Sequence, residues 1–347
     1  MPVSEPKILV VRNDKLGDFM LSLPVFAALK SNLDQCELHA LVPEYTQEMA
    51  AACPWIDHII LDPGRESGID GLRKLSQILR GQQYHAAIIL FSTTRIALAT
   101  LFAGIPFRFA PATKIAQVLY NRRVTQRRSR SLKPEYEYNL DLAYAYLHSL
   151  GIDNPVIPSP PYLTYPDEQI SKIKNEFITT YSIPADKRLV FIHAGSGGSA
   201  NNLNLQQYGS LIRYMSTDPD LHFVLSGGPA EQEQVETLSR QMQDISHSIF
   251  ISRQGLDAFA KHIAIADLFI AGSTGPLHIA GALDIPTVGF YPRRRSSTAL
   301  RWQTLNNDGH RLTFSPPEYA DEQDMSMINI RNTADKIREF LEKLRKY

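Results

Sequence analysis

Polar side chains that could perform acid–base chemistry follow the first apolar run of the chain. Residues 7–11 are apolar after Lys7, and the next seven residues are RNDKLGD, which contain Asp14 and end at Asp18. Gly17 permits a tight turn there. Because Asp18 precedes an apolar helical pattern, its carboxylate could serve as a helix N-cap. It could also act as a general base toward a bound hydroxyl. The residues alone leave both interpretations open.

Two turns rich in small residues follow later apolar runs and suit the oxygens of a phosphate. The first turn holds Ser196, Gly197, Gly198 and Ser199. The second holds Ser273, Thr274, Gly275 and His278. Small residues expose backbone N–H groups, and Pro276 fits the first turn of a helix, whose N-terminus attracts anions. Each turn could also be a connector, and His278 a structural histidine, but the pair favours a diphosphate ligand.

Two further groups could assist at the same place. Glu231 follows a Gly-Gly-Pro turn and could hold a ribose hydroxyl, or could simply favour the first turn of a helix through its charge. Arg293, Arg294 and Arg295 follow another apolar run and could reach a diphosphate. We select Arg294 as the representative candidate.

A basic segment between residues 107 and 134 contains eight cations and neither Asp nor Glu. It is either a solvated mobile loop or a surface for a polyanionic acceptor or an anionic membrane. The predicted acceptor-binding residues are Arg12, Asp14 and Lys15 near the N-terminus, Arg95, and Arg122 and Arg123 of this segment.

The elements that must position these groups alternate between short apolar runs and helical patterns, which indicates βα units and parallel sheets. A segment at residues 154–161 holds four prolines and reads as a stiff linker. We therefore predict an N-terminal domain over 1–153, a linker over 154–166, a second domain over 167–333 and a closing helix over 334–347. In such sheets ligands bind beyond the carboxyl ends of the strands.

Composition excludes several classes of protein. The chain has 347 residues, 44% of them hydrophobic, and equal numbers of basic and acidic side chains, so general attraction to nucleic acid is not expected. Its two cysteines, Cys36 and Cys53, make no zinc or disulfide pattern. We see no metal-ligand spacing and predict no catalytic metal. No leader or membrane-spanning run is evident, so we expect a cytoplasmic protein, with peripheral contact to the inner membrane left open.

Two stretches together resemble glycosyltransferase family nine, the ADP-heptose:lipopolysaccharide heptosyltransferases. They are ILVVRNDKLGD at residues 8–18, continuing to Leu23-Pro24, and ADLFIAGSTGPLHIAGAL at 266–283, continuing to PTVGFY at 286–291. The shorter matches HAGSGG at 193–198 and GGPAE at 227–231 lie in the family's order. The set spans nearly the whole chain.

The resemblance implies a GT-B fold, in which two Rossmann-like domains face a cleft. It implies acceptor binding by the first half, donor binding by the second, and inversion at the anomeric carbon without a metal. It further implies that Asp18 is the base and that both Gly/Ser turns hold the donor diphosphate. The donor, by resemblance ADP-heptose, is a substrate, so no cofactor is expected. The acceptor would be a lipopolysaccharide core or a related anionic glycan.

The chain departs from the family pattern at two places. The cation usual after the first Gly-rich loop is absent from residues 201–205, NNLNL, and Ser273 stands where heptosyltransferases commonly carry an aspartate linked to the donor sugar. These departures keep two alternatives open: a non-catalytic nucleotide- or glycan-binding member of the fold, and a nucleotide-sugar 2-epimerase.

Overall fold

A computed structural model describes residues 6–64, 68–195 and 201–345 of the chain. The chain folds into two compact units, Met1–Tyr162 and Leu163–Tyr347. The boundary lies just after the proline-rich segment at residues 154–161. Within the described ranges, no helix is both long enough and apolar enough to cross a membrane.

The first unit contains a parallel sheet with helices on its faces. In the described residues its strands are β1 (Lys7–Val11), β2 (Glu37–Val42), β3 (His58–Leu61), β4 (Ala86–Ile89), β5 (Phe107–Pro111) and β6 (Arg122–Val124). Its helices are α1 (Leu16–Met20), α2 (Leu23–Asn32), α3 (Gln47–Ala51), α4 (Gly68–Gln82), α5 (Thr94–Phe102) and α6 (Glu135–Ser149). The strand order is β3-β2-β1-β4-β5-β6.

The second unit repeats the architecture of the first. The strands described there are β7 (Arg188–His193), β8 (Leu221–Gly227), β9 (His247–Ile251), β10 (Leu268–Gly272), β11 (Thr287–Phe290) and β12 (Arg311–Phe314). The helices are α7 (Asp167–Thr180), α8 (Leu205–Met215), α9 (Gln232–Arg240), α10 (Gly255–Ile263), α11 (Gly275–Ala282) and α12 (Ile330–Leu344). Read from the other edge, the strand order is β9-β8-β7-β10-β11-β12. This repeats the order β3-β2-β1-β4-β5-β6 of the first sheet.

The central strands explain why each unit folds around its sheet. Residues 8–11 of β1 and 268–271 of β10 are fully buried, as parallel strands covered on both faces by helices should be. Burying each Leu, Ile or Val side chain contributes about 1.5–3 kcal/mol. Helix α12 packs on α8 and brings Ile337 and Leu341 into the core of the second unit.

Most predicted elements are confirmed, with shifts of a few residues at their ends. The sequence pattern predicts a helix over 205–215 and strands over 7–11, 37–42 and 287–290, and these are the observed bounds of α8, β1, β2 and β11. The sequence analysis missed α1, α5, β5, β6 and β12. One consequence concerns Asp18, which was expected just before a helix but lies inside α1. The N-cap interpretation of Asp18 is therefore wrong: Lys15 occupies the N-cap position.

The basic segment is more ordered and less uniform than a mobile loop. It contributes β5 and β6 to the sheet. Three of its cations have partners within the first unit. Arg108 donates to the carbonyls of Ile105 and Leu119. Arg128 forms an ion pair with Glu135, and Lys133 forms one with Asp141. Although the segment itself has neither Asp nor Glu, Arg128 and Lys133 pair with acidic side chains of α6, so its eight cations are not all without an acidic partner. The exposed cations of the segment are Lys114, Arg122, Arg123, Arg127 and Arg130.

Candidate functional site

Both sheets have a point at which the strand order reverses, and polar loops follow the strands there. In the first unit this point lies between β1 and β4, and in the second between β7 and β10. Loops that leave adjacent strands at such a point diverge and open a crevice for a ligand. Residues 12–15 follow β1, and residues 273–274 follow β10. The predicted base and the second Gly/Ser turn are therefore placed where ligands bind in this architecture.

Arg12 is the centre of a buried charge network in the first unit. Its side chain is almost fully buried. Its Nε donates to Asp14 Oδ1 at 2.8 Å, its Nη2 donates to Asp18 Oδ1, and its Nη1 donates to Glu135 Oε1 at 3.2 Å. Asn139 Oδ1 accepts a further bond from Nη1 at 3.1 Å. Through Arg12, which directly follows β1, the network holds the Asp18 carboxylate of α1 in place and connects it to the first turn of α6.

Both aspartates beside Arg12 hold their protons more tightly than an aspartate in water. Burial raises the pKa of Asp18, and Glu135 raises it further, although Arg12 opposes the shift. Burial likewise raises the pKa of Asp14 to about 6, with Asp18 adding to the effect and Arg12 opposing it. A carboxylate with a raised pKa is a stronger base, which is the property required for removing a proton from a hydroxyl.

Asp14→Asn should stabilise the protein at neutral pH. Because burial raises the pKa of Asp14 to about 6, above its ordinary 3.8, the folded chain binds this proton more tightly than the unfolded chain. Ionising the group therefore costs stability; the cost is absent below about pH 4, grows between about pH 4 and 6, and is fully present above about pH 6. We expect the variant to gain about 1–2 kcal/mol in unfolding free energy at pH 7.5. Denaturant unfolding at pH 7.5 and pH 4 measures it, and a gain of equal size at both pH values would contradict it.

A second polar cluster in the first unit was only partly expected. Arg95, on α5, donates through Nη2 to both oxygens of Asp62, and Asn13 Nδ2 donates to the same carboxylate. Burial alone would raise the pKa of Asp62, but the hydrogen bonds from Arg95 and Asn13 hold it below its usual range. Among the described residues, Arg95 Nε and Nη1 and Asn13 Oδ1 are buried without a partner. The hydrogen-bonding capacity of these atoms is therefore unused in this structure.

The remaining predicted acceptor residues are not drawn into these clusters. Lys15 is exposed, at the start of α1. Arg122 and Arg123 are exposed on β6, an edge strand three positions from β1. The guanidinium of Arg122 lies 5.3 Å from the centre of the Phe107 ring. Their assignment as acceptor-binding residues stays a prediction.

Glu231 lies at the mouth of the second sheet and contacts the ends of two strands. Its Oε2 accepts from Gly228 N at 3.0 Å and lies 3.4 Å from His193 Nε2. Burial alone would raise the pKa of Glu231, but His193 and Gly228 N lower it below its usual range. A Cβ at Gly195 would lie 1.9 Å from Glu231 Oε1, so a larger residue at this position would displace the carboxylate. The carboxylate is thus held ionised beside Gly195.

The turn after β10 presents unpaired polar atoms at the start of α11. Thr274 is the N-cap residue, and its buried Oγ1 has no partner among the described residues. His278 Nδ1 is likewise buried and unpartnered there. Burial lowers the pKa of His278 to about 4, so its ring is neutral at pH 7. Ser273 is half-buried, and Gly275 opens the helix. Free N–H groups and a helix N-terminus suit an anionic group.

Asn202 is a site residue that the sequence analysis missed. Its Nδ2 donates to the Ala194 carbonyl at 3.1 Å, and its Oδ1 accepts from the buried Tyr208 hydroxyl at 2.7 Å. A Cβ at Gly272 would lie 2.5 Å from this side chain. Asn202 thereby joins the ends of β7 and β10 to α8. Asn202 is uncharged, so it does not supply the cation that residues 201–205 lack.

The other predicted donor residues divide into those that are exposed and those that are not described. Arg294 is exposed just after β11, whereas its neighbour Arg293 donates to the carbonyls of Glu318 and Ala320. Ser196, Gly197, Gly198 and Ser199 lie outside the described residues.

Each half of the chain has a Rossmann-like sheet with polar groups at its switch point. Two such domains in one chain are the architecture of GT-B proteins. The chain matches the family model described as "Glycosyltransferase family 9 (heptosyltransferase)" over residues 72–320. A relative from Haemophilus influenzae, whose name gives glycosyltransferase as a provisional assignment, is 43% identical over 337 residues, 96% of each chain. The chain therefore belongs to glycosyltransferase family 9.

Further similarities agree with this family. "Lipopolysaccharide heptosyltransferase 2" of Escherichia coli is 25% identical over 294 residues, 82% of each chain. The solved structure of the Escherichia coli ADP-heptose lipopolysaccharide heptosyltransferase II has a TM-score of 0.77 and 20% identity, and the match covers 98% of this chain and 99% of that one. The expected GT-B fold and the family resemblance are confirmed, and the chain is a heptosyltransferase-like glycosyltransferase.

Proposed function

We propose that the protein transfers a heptose from ADP-heptose to a lipopolysaccharide core or a related anionic glycan, with inversion and without a metal or other cofactor. The single observation that supports this most is the Asp18 carboxylate, buried on Arg12 beyond the end of β1, with a raised pKa. The named relatives that act on ADP-heptose or lipopolysaccharide supply the substrate class.

In the proposed reaction, Asp18 removes the proton from the acceptor hydroxyl as its oxygen attacks the anomeric carbon. The bond from that carbon to the diphosphate oxygen breaks, and ADP leaves with the electron pair. Attack from the side opposite the leaving group inverts the configuration. A positioned base typically contributes about 10²–10⁴-fold to the rate.

The developing charge on the diphosphate needs fixed donors. The start of α11 can supply the Gly275 backbone N–H and the Thr274 hydroxyl, and the first Gly/Ser turn adds its own amides in this proposal. Glu231 would accept a hydrogen bond from a ribose hydroxyl. Preorganised donors of this kind are usually the largest contribution to catalysis.

Arg294→Ala should weaken donor binding. Arg294 is the exposed cation after β11, whereas Arg293 is occupied by backbone carbonyls. Losing a charge-assisted contact to a phosphate costs about 1.5 kcal/mol, or roughly tenfold in affinity. Calorimetric titration with ADP measures it. Arg213→Ala removes an exposed arginine of α8 paired with Asp244 and serves as the matched control. Equal ADP affinity in the wild type and both variants would remove Arg294 from the donor site.

We also propose peripheral contact with an anionic membrane through the basic segment. Beside its exposed cations, Ile115, Val118 and Leu132 have exposed fractions of 80%, 70% and 68%. Exposed apolar side chains combined with Lys and Arg suit a surface of anionic lipids. The protein should co-sediment with vesicles containing phosphatidylglycerol, and Ile115→Ser/Val118→Ser should bind several-fold less. Equal binding to vesicles of phosphatidylcholine alone would contradict this proposal.

The experiment that tests the function is a transfer assay in the presence of EDTA. The purified protein is incubated with ADP-heptose, with and without a heptose-deficient lipopolysaccharide core, and ADP release is followed. We expect release that depends on the acceptor and yields a product of inverted configuration. Epimerisation of the donor without acceptor would indicate a 2-epimerase, and donor binding without turnover a non-catalytic member.

A further inference from the structure

Three side chains able to bind a metal meet at the amino ends of β2 and β3. Glu37 and His39 stand two residues apart on β2 and therefore face the same side of the sheet. His58 is the first residue of β3 and the register partner of His39. Their ligand atoms all lie within 4.8 Å of one another. No local spacing reveals this set, because β-sheet pairing brings its members together.

The geometry of the three groups is close to that of a metal site. Glu37 Oε1 lies 2.8 Å from His39 Nε2 and 3.0 Å from His58 Nε2. Ligands of a tetrahedral Zn²⁺, at bond lengths of about 2.0–2.1 Å, lie about 3.3 Å apart. Each imidazole nitrogen therefore needs to move only about half an ångström away from the Glu37 oxygen to reach the spacing of ligands around this ion.

The neighbours of the cluster support the same use. The Tyr84 hydroxyl lies 2.8 Å from His39 Nδ1 and can either donate or accept, so the ring keeps its partner when Nε2 gives up its proton. Lys7 occupies the other Glu37 oxygen, at 3.2 Å from Oε2. His58 is 60% exposed, which gives an ion access from solvent.

We propose that Glu37, His39 and His58 form a binding site for a divalent cation of the Zn²⁺ type, with water as the fourth ligand. Two imidazole nitrogens and one carboxylate oxygen are ligands that this ion prefers. The site lies at the amino ends of the strands, whereas the Asp18 network follows the carboxyl end of β1. The cation takes no part in sugar transfer; it clamps the four-residue edge strand β3 onto β2.

The test uses the full-length protein without a histidine tag. Calorimetric titration with Zn²⁺ should show one site, and Co²⁺ should give the visible absorption of a tetrahedral complex. His58→Ala should weaken Zn²⁺ binding by more than about tenfold, and Tyr84→Phe by about tenfold. His148→Ala, which removes another exposed histidine, should leave it unchanged.

Two outcomes would overturn the proposal. One is the absence of Zn²⁺ binding to the wild-type protein. The other is equal Zn²⁺ affinity in the wild type and in His58→Ala, which would indicate adventitious binding elsewhere. Since the ligands must be free of protons, affinity should also fall as pH drops from 7.5 to 5.5.

Discussion

Asp18→Asn should lower kcat by about 10²–10⁴-fold while donor binding persists. Asparagine keeps the shape of the side chain and an oxygen that can accept from Arg12 Nη2, but it cannot take up a proton. The base function is thus removed with little change to the buried network. Initial rates of ADP release with saturating acceptor measure kcat, and calorimetry measures donor affinity.

The control for this variant is Asp244→Asn, which removes an exposed carboxylate paired with Arg213. Its kcat should match that of the wild type. Denaturant unfolding of Asp18→Asn should show stability no lower than that of the wild type, because the raised pKa of Asp18 means that its ionised form costs folding free energy. Near-normal turnover in Asp18→Asn would rule out the base assignment.

Arg12→Met should cost about 3–5 kcal/mol in unfolding free energy at pH 7.5. The substitution leaves Asp14, Asp18 and Glu135 buried together without the cation that they share. Because the pKa values of both aspartates are raised, these groups take up protons as pH falls, and the loss should be smaller at pH 5 than at pH 7.5. Urea unfolding at both pH values tests the prediction.

Arg123→Met is the matched control for Arg12→Met. Arg123 is exposed on β6, so its loss should change stability by less than about 0.5 kcal/mol. A cost below about 1 kcal/mol in Arg12→Met at pH 7.5 would show that Arg12 does not neutralise the three carboxylates.

The buried strands and amphipathic helices of the fold were predictable because burial leaves a continuous apolar pattern. Strand β1 and helix α8 show this clearly. Strands β6 and β12 were not predictable from the sequence, because they are short, lie at the edges of their sheets and carry exposed or half-buried side chains. Helix α5 was missed because its residues are apolar on most sides and only Thr93 marks its start.

The candidate site was predictable wherever a residue lies in the segment that follows a strand. Asp18 and Thr274 were found by this rule, and Asp62, which follows β3, could have been. Glu135 could not, because 123 residues separate it from Arg12 and only the packing of α6 brings them together. The same holds for His39 and His58, whose pairing depends on sheet register.

Calorimetric binding of nucleotides is the most direct test of the central claim that this chain uses an ADP-linked heptose. The purified protein is titrated with ADP, UDP, GDP and an unreactive ADP-heptose analogue, all in EDTA. We predict selective binding of ADP that is tightened by the heptose. Preference for UDP or GDP, or no binding of any of them, would contradict the account.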